Sequence, residues 1–212
     1  MKKKMSSNIC KKMQFLEAAG LNTGSAGNIS VKAEDVILIT PTGLSAGDLN
    51  SDKIVPLSLS GDWTGNWKPS SEWRIHTEIY AGFPDIGAVI HLHSPYATAL
   101  SCHGRDLPAF HYMVAGIGGD NIRCAPYETF GTEELSKVVF SALKDRLACL
   151  MANHGMLAVG LTLDRAVDTA LLVEELCKQY ILSKILGEPN LISDKEMRHV
   201  LEKFKNYGNQ NV

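Results

Sequence analysis

Apolar residues recur along this chain with two different periods, and the alternating period of two marks the strands. NISVK and VILIT are separated only by the polar AED, so they predict two neighbouring strands. ACLMANHG and MLAVG predict two consecutive strands that are divided at Gly155. Four other short apolar segments also predict strands: IVPLSL, GAVIHLH, FHYMVA and the segment 122–125.

The other period, of three to four residues, marks helices whose ends are indicated by capping residues, Pro and Gly. A first helix is predicted over 7–19. A second is predicted over 69–81, with Ser70, Ser71 and Glu72 in its first turn. Four more helices are predicted at SPYATALSCHG, TEELSKVVFSALKD, 163–186 and SDKEMRHVLEKFKNYG.

The order of these segments predicts the fold class. Short strands follow one another in hairpin-like succession between a few helices, without the regular alternation of a doubly wound parallel fold. We therefore expect an α/β protein with a largely antiparallel central sheet. The 212 residues are 45% hydrophobic and contain no internal repeat, low-complexity tract or long linker, so residues 1–212 are predicted to form a single domain.

Charge and cysteine usage narrow the functional classes. A formal net charge of −2 and a pI near 6.4 provide no basic surface for nucleic acid. Lys11 and Lys12 interrupt any apolar stretch after MKKKM, which argues against a signal peptide, and no apolar run reaches the roughly 18 residues of a membrane helix. Five separated cysteines without a C-x-x-C pair suit a reducing cytoplasm and argue against a thiolate zinc site. Any metal must then be held by His, Asp or Glu.

Two histidines, His91 and His93, stand at the end of the apolar segment GAVIHLHSP. Strand side chains alternate, so both point to one side with Cα atoms about 6.6 Å apart, and both rings can reach one metal ion. His154 ends another predicted strand, and Glu72 is the best-placed carboxylate to complete a zinc set. Alternatives remain open here. A strand-end histidine is often only structural, Glu72 is also an ordinary first-turn acid, and His76 is a rival ligand.

Three short segments rich in small residues are candidate anion sites: GSAGN (24–28), PTG (41–43) and PSS (69–71). Turns and helix starts of this kind bind phosphate through free backbone N–H groups. Neither the Walker loop nor the dinucleotide-binding glycine motif is present, and an ordinary turn is the alternative for each segment. Because PSS adjoins Glu72, the anion and metal sites are predicted to be neighbours, which indicates a phosphorylated small molecule whose other end meets the metal.

The chain also resembles the class II aldolase/epimerase family, which includes the adducin head, over nearly its whole length. The similar segments are GSAGNIS, ILITPTGL, PSSEWRIH, HLHSPYATAL, HYMVAGIGG, CAPYETFGT, NHGMLA and EKFKNYG. The resemblance implies a three-layer α/β/α arrangement around the sheet. It also implies a homotetramer with four-fold symmetry and active sites between subunits.

By position, the resemblance implies one Zn²⁺ per chain and a role for each of several residues. Glu72, His91, His93 and His154 would be the metal ligands, and Glu72 would also be the acid/base. Tyr112 would protonate the aldehyde oxygen from a neighbouring subunit. GNQNV, after the tail tyrosine, lacks the arginine that some members carry there. The other implied residues contact the substrate, with Asn28, Thr42, Gly43, Ser70 and Ser71 around its phosphate and Phe130 and Tyr207 at its aldehyde end.

The implied reaction is reversible aldol cleavage of L-fuculose 1-phosphate to dihydroxyacetone phosphate and L-lactaldehyde, through an enediolate whose charge a metal stabilises. Alternatives on the same scaffold are a 5-deoxy-ketose-phosphate aldolase, an L-ribulose-5-phosphate 4-epimerase and a methylthioribulose-1-phosphate dehydratase. Glu72 favours an aldolase over an epimerase, because epimerases of the family carry Asp at this position. A non-enzymatic interaction module like the adducin head is a further alternative, and the filled ligand positions argue against it.

Overall fold

A sheet of seven strands forms the centre of the structure, a computed structural model that describes residues 2–205. Its strands are β1 (Asn28–Ala33), β2 (Val36–Ile39), β3 (Val55–Leu57), β4 (Ala88–Leu92), β5 (Cys124–Ala125), β6 (Ala148–Met151) and β7 (Gly155–Gly160). Their order across the sheet is β3-β2-β1-β4-β7-β6-β5. Within the described residues five neighbouring pairs are antiparallel and β5–β6 is parallel. The sheet is thus mixed and, as the sequence predicts, largely antiparallel.

Helices are present at all six predicted places: α1 precedes the first strand, three lie between strands, and two follow the last strand. Two of them begin at predicted caps, where the Thr132 and Thr162 hydroxyls accept a backbone N–H from the first turn. The helices are α1 (Lys2–Ala18), α2 (Trp73–Gly82), α3 (Pro95–Ser101), α4 (Glu133–Ala142), α5 (Leu163–Ile185) and α6 (Asp194–Phe204), with 3₁₀ helices at Ala46–Asp48 and Tyr112–Ile117.

Buried apolar side chains form two separate clusters, because alternate residues of each strand enter different ones. In β4, Ile90 and Leu92 belong to the larger cluster, whereas Val89 belongs to the smaller. The larger cluster also contains side chains of α1, α3, α5 and α6, and the smaller contains side chains of α2 and α4. Each helix therefore buries its apolar face against one set of strand side chains.

The strand pairing determines where the chemistry-bearing residues meet. Asn28, the first residue of β1, lies opposite His91 near the end of β4. Leu92, at the end of β4, lies opposite Met156 near the beginning of β7. Antiparallel pairing thus brings the start of β1, the end of β4 and the start of β7 to one place in the sheet.

The structure corrects the predicted beginning of the second helix. It begins at Trp73, and Ser70, Ser71 and Glu72 precede it instead of forming its first turn. The backbone before it is held by another segment: Ser70 N–H donates to the Thr40 carbonyl, and Thr42 N–H donates to the Lys68 carbonyl. A chain paired in this way cannot also take helical geometry.

The prediction of a strand at FHYMVA is also wrong. Its residues begin the 3₁₀ helix Tyr112–Ile117, in which Val114, Ala115 and Ile117 are buried. The His111 side chain accepts the Met113 N–H at its start, and Gly118 ends it with a left-handed φ of 94°. These local caps stabilise a helical turn in a segment whose short apolar run suggests a strand.

Candidate metal centre and active site

Three imidazoles converge where β4 ends. His91 is inside β4, His93 follows it by one residue, and His154 lies in the turn between β6 and β7. Their potential ligand nitrogens all lie within 4.8 Å of one another. The His91 and His93 Nε2 atoms are 3.0 Å apart. Two ring nitrogens this close repel each other unless a proton or a metal ion lies between them, so the geometry suits a shared cation.

The surrounding backbone fixes the orientation of these rings. His91 Nδ1–H donates to the Met156 carbonyl at 2.8 Å, which leaves the Nε2 lone pair directed at the other two rings. Gly155 packs directly behind β4, since a Cβ there would lie 2.4 Å from the Leu92 carbonyl oxygen. Gly27 similarly leaves no room for a side chain, because its Cβ would lie 2.8 Å from the His91 carbonyl oxygen.

Glu72 adds a buried carboxylate to the three rings. It is only 6% exposed, and its Oε2 lies 3.2 Å from His91 Nε2 while accepting a hydrogen bond from Asn28 Nδ2 at 3.0 Å. Its Oε1 lies 3.3 Å from His154 Nε2 but has no hydrogen-bond partner. A buried oxygen left without a hydrogen bond is costly, and here it faces ring nitrogens that also have free lone pairs. Three imidazoles and one carboxylate are a donor set that fits a divalent metal such as zinc.

The pKa shifts of Glu72, His93 and His154 suit metal binding, whereas that of His91 favours its protonated form. Burial opposes the charged form of Glu72, but His91, His154 and the Asn28 hydrogen bond together hold its pKa well below the usual range. Burial and the neighbouring rings lower the pKa of His93 to about 4 and also lower the pKa of His154. Burial disfavours the charged form of His91 as well, yet the adjacent Glu72 carboxylate raises its pKa. Deprotonated carboxylate and neutral imidazole are the forms that bind a metal.

A cavity of about 340 Å³ opens beside this group. All three segments with predicted anion affinity line it, through residues 25–28, 41–43 and 70–71. The hydrogen bonds of Thr42 and Ser70 hold two of these segments side by side, but they occupy N–H groups that the sequence suggested were free. The cavity therefore has a polar wall of small side chains next to the metal-type donors, and at Thr42 and Ser70 an anion would be contacted by the side chain instead of the backbone N–H.

The structure places the remaining predicted residues as follows. Phe130 lines the mouth of the cavity and is 66% exposed. Tyr112 is half exposed, contacts the rings of His111 and Phe204, and does not line this cavity within the described residues. Tyr207 lies outside the described residues 2–205. His76, the rival ligand, is not in the three-histidine group and instead bonds to two buried side chains.

Sequence reasoning missed three residues of the cavity: Tyr127, Glu128 and Asn153. The first two belong to CAPYETFGT and the third to the segment ending in His154, so the signal was present in segments already singled out. On the described chain no lysine lines the cavity, which leaves a lysine imine without a candidate there.

It also missed Glu174, a buried acid in the middle of α5. Its carboxylate accepts hydrogen bonds from Ser94 Oγ at 2.6 Å and from the Tyr96 and Ala97 backbone N–H groups at 2.9 Å. Glu174 therefore caps the N-terminus of α3, directly after His93. Helical spacing from Ala170, on the buried face of α5, is the signal that could have identified it.

The sequence as a whole was then compared with known proteins. The family described as class II aldolase and adducin N-terminal domain matches residues 7–181. The chain belongs to this family. It is a class II aldolase, a metal-dependent lyase.

Two curated relatives and one solved structure show how similar the chain is to known members. A 5-methylthioribulose-1-phosphate/5-deoxyribulose-1-phosphate aldolase of Rhodospirillum rubrum is 53% identical over 189 residues, 89% of this chain and 86% of the relative. An L-fuculose phosphate aldolase of Escherichia coli K12 is 46% identical over 190 residues, 89% of this chain and 88% of the relative. A solved L-fuculose 1-phosphate aldolase superposes with a TM-score of 0.90 at 38% identity, covering 94% of this chain and 95% of that one.

These relatives correct the expected substrate. The assignment to L-fuculose 1-phosphate is wrong, because the 5-methylthioribulose/5-deoxyribulose-1-phosphate aldolase is 53% identical and the L-fuculose phosphate aldolase only 46%. The physical reason is that the motifs behind the assignment surround the metal group and the polar wall of the cavity. Of the residues that the resemblance implies, only Tyr112, Phe130 and Tyr207 belong to the aldehyde end, so most of the matched positions do not distinguish substrates.

The helices of the described chain differ from membrane-spanning helices in length, in hydropathy or in both. Over residues 2–205, none is both long and apolar enough to cross a membrane.

Proposed function

We propose that this chain cleaves 5-deoxypentulose 1-phosphates, with or without a methylthio group at C5, to dihydroxyacetone phosphate and a two-carbon aldehyde. The similarity to the R. rubrum aldolase carries this proposal. Breaking the C3–C4 bond of such a ketose leaves three carbons with the phosphate and two in the aldehyde. The aldehyde is acetaldehyde from the 5-deoxy sugar and methylthioacetaldehyde from the methylthio sugar.

The donor set supports one Zn²⁺ per chain on Glu72, His91, His93 and His154. A bound Zn²⁺ supplies a Lewis acid that stabilises the negative charge developing on the substrate oxygens. His91 is held for this by the Met156 carbonyl, and Glu72 by Asn28. The two backbone-facing glycines keep β4 and its rings from shifting.

The cavity supports a placement for the substrate. Its polar wall would receive the phosphate, through the side chains of Asn28, Thr42, Ser70 and Ser71 and the backbone at Gly43, whose left-handed φ of 74° turns the chain there. The deoxy or methylthio end would face the opposite wall, where Phe130 and Tyr127 expose aromatic surface. An apolar C5 substituent gains more from aromatic contact than a hydroxylated one would.

Two side chains would move protons. In the condensation direction Glu72 takes a proton from C3 of dihydroxyacetone phosphate, and the electron pair left behind forms the new bond to the aldehyde carbon. Tyr112 of a neighbouring subunit gives its hydroxyl proton to the resulting alkoxide. Both groups then return to their starting forms by proton exchange with water, and cleavage follows the same steps in reverse.

Several broader features belong to the same proposal. The exposed half of Tyr112 supports a site shared between subunits of a homotetramer. The two apolar clusters on alternate strand side chains support the three-layer α/β/α arrangement and a single domain over 1–212. The five unpaired cysteines support a cytoplasmic enzyme.

A panel of substrates tests the function. The zinc-loaded protein is given 5-deoxyribulose 1-phosphate, 5-methylthioribulose 1-phosphate and L-ribulose 5-phosphate, and dihydroxyacetone phosphate is measured by coupled reduction to glycerol phosphate. We expect release from the first two and none from the third. Failure to cleave either 1-phosphate, while the protein binds zinc and is folded, would refute the proposed substrate class.

A further inference from the structure

A row of buried polar side chains leads from Glu72 away from the cavity and into the core. Glu72 Oε2 meets Asn28 Nδ2 at 3.0 Å, and Asn28 Oδ1 meets His76 Nε2 at 2.6 Å. His76 Nδ1 then meets Ser30 Oγ at 2.6 Å, and Ser30 Oγ meets the Tyr80 hydroxyl at 2.8 Å. The four residues behind Glu72 are at most 3% exposed, so water does not compete for these contacts.

The direction of each hydrogen bond follows from the carboxylate. An ionised Glu72 only accepts, so Asn28 must turn its NH₂ group toward Oε2 and its carbonyl oxygen toward His76. That carbonyl also only accepts, so His76 must carry its proton on Nε2. The first two contacts thus fix the tautomer of the histidine.

The contacts of His76 with Ser30 and of Ser30 with Tyr80 are consistent with this tautomer. Burial lowers the pKa of His76 to about 3, so the ring is neutral and carries one proton. Its Nδ1 is then an acceptor for the Ser30 hydroxyl, and Ser30 accepts in turn from Tyr80. In this one arrangement each of the four contacts from Glu72 Oε2 to the Tyr80 hydroxyl joins a donor to an acceptor.

The opposite orientation of the Asn28 amide would break two contacts at once. Its oxygen would face the Glu72 carboxylate, and its NH₂ group would face the N–H of His76. The backbone of Asn28 is already held by pairing with β4 opposite His91, so only the amide orientation is left to be set.

We propose that His76 is a positioning residue that, as the neutral Nε2–H tautomer, fixes the Asn28 amide so that it donates to Glu72. Oε2 is thereby held in place, while Oε1 stays free for the metal or a proton. Asn28 also lines the cavity, so the same amide links the carboxylate to the wall that we assign to phosphate. The consequence for catalysis rests on the proposed function, whereas the consequences for metal affinity and tautomer do not.

Two amide substitutions separate positioning from packing. A glutamine amide reaches about as far as the Nε2 of histidine, so His76→Gln retains a donor for Asn28. An asparagine amide reaches only as far as Nδ1, so His76→Asn retains a partner for Ser30 and loses the donor. Both remove the imidazole, but asparagine is one methylene smaller than glutamine and leaves the larger space at this buried position. The tautomer measurement described below, which packing does not affect, is therefore needed beside this pair.

The affinity of each variant for Zn²⁺ is measured by competition with a chromophoric chelator. We expect His76→Asn to weaken binding by about 10–100-fold, the usual cost of losing a partner behind a metal ligand, and His76→Gln to stay near wild type. His199→Gln, at an exposed position of α6, is the control and should not change the affinity. Equal affinities for the two His76 variants, whether reduced or unchanged, would overturn the proposal.

A second measurement determines the tautomer in the wild-type protein and uses a variant only to assign the signals. In wild-type protein labelled with ¹⁵N-histidine, long-range ¹H–¹⁵N spectra distinguish the two neutral tautomers, and the His76 signals are those lost in His76→Gln. We expect the Nε2–H pattern. An Nδ1–H tautomer or a doubly protonated ring would overturn the proposal, and neither outcome depends on which sugar phosphate the enzyme cleaves.

Discussion

Two buried carboxylates, Glu72 and Glu174, lie in neighbouring parts of the structure but differ in how their oxygens are hydrogen-bonded. They are 6% and 9% exposed, respectively. Glu174 uses both oxygens to accept three hydrogen bonds, two of them from backbone N–H groups of α3. Glu72 accepts one hydrogen bond from a side chain, and its other oxygen has none. Burial is equal in the two cases, so burial does not distinguish them.

The two carboxylates differ in the hydrogen bonds that they accept. A carboxylate whose two oxygens are both hydrogen-bonded within the fold, as those of Glu174 are, holds chain segments together. One that keeps a buried oxygen unbonded beside three imidazoles carries an energetic cost that a metal ion or a proton can relieve. We therefore infer a role in ligand binding or proton transfer for Glu72 and a structural role for Glu174. Both lie beside the segment that ends β4 and begins α3.

The largest effect is expected when the rings beside Glu72 are removed. His93→Ala and His154→Ala should each lose most of the bound zinc and all cleavage activity, because only two imidazoles and one carboxylate of the four proposed ligands remain. Metal analysis after gel filtration, with circular dichroism to confirm folding, provides the measurement. Full zinc occupancy in both variants would show that the metal lies elsewhere.

Glu72→Gln tests whether Glu72 is the base that removes the C3 proton. The amide cannot accept a proton, so both cleavage and the exchange of the C3 hydrogen of dihydroxyacetone phosphate with solvent should fall together, each by roughly 10²–10⁴-fold or more. Exchange is followed by NMR in deuterated water. A variant that retained exchange at the wild-type rate would remove Glu72 from the role of base.

Tyr112→Phe separates proton transfer at C3, which we assign to Glu72, from protonation of the aldehyde oxygen, which we assign to Tyr112. Exchange at dihydroxyacetone phosphate needs no acid at the aldehyde oxygen, whereas cleavage does. We expect cleavage to fall by roughly 10²–10⁴-fold and exchange to remain nearly intact. Equal losses in the two reactions would make Tyr112 a structural residue.

Glu174→Gln should have the smallest effect on chemistry and a clear one on stability. Its new NH₂ group would face N–H or O–H donors at the start of α3, which leaves buried donors unpaired and lowers the free energy of unfolding by about 1–3 kcal/mol. Thermal unfolding should shift down by about 2–4 °C per kcal/mol for a chain of this size.

The neighbouring acid provides a control for that variant. Glu175 is exposed, and its carboxylate accepts a hydrogen bond from the side chain of Gln179 on the surface of α5, so Glu175→Gln should leave the unfolding temperature unchanged. If Glu174→Gln reduced cleavage as strongly as Glu72→Gln while the protein stayed equally stable, the division between the two acids would be wrong.

Local patterns were sufficient for most of the fold and for the imidazoles. Alternation along GAVIHLH predicts that His91 and His93 share a side, and the structure brings both rings to one place with His154. Caps at Thr132 and Thr162 are equally local and are confirmed. These features depend on residues a few positions apart, so the local sequence is enough to predict them.

Contacts between distant segments could not be predicted in the same way. The late start of α2 depends on backbone bonds from Ser70 to Thr40, and the role of Glu174 depends on Ser94, eighty positions away. Helical spacing can indicate that Glu174 is buried, but neither of these two long-range contacts leaves a signal of its own in the sequence. The substrate was assigned wrongly for a related reason, since shared motifs describe the metal and phosphate ends and the C5 end is bounded by a few exposed aromatics.

The two glycines that press against β4 limit how this enzyme can be redesigned. Any side chain at Gly27 or Gly155 would collide with backbone oxygens of β4, which cannot rotate away as a side chain can. A mutagenesis library aimed at new aldehydes should therefore leave both positions fixed. Diversity belongs instead at 127–130, where the side chains of Tyr127 and Phe130 are exposed and a larger or smaller residue meets solvent. Substitutions are thus expected to be tolerated at 127–130 and hardly at all at Gly27 and Gly155.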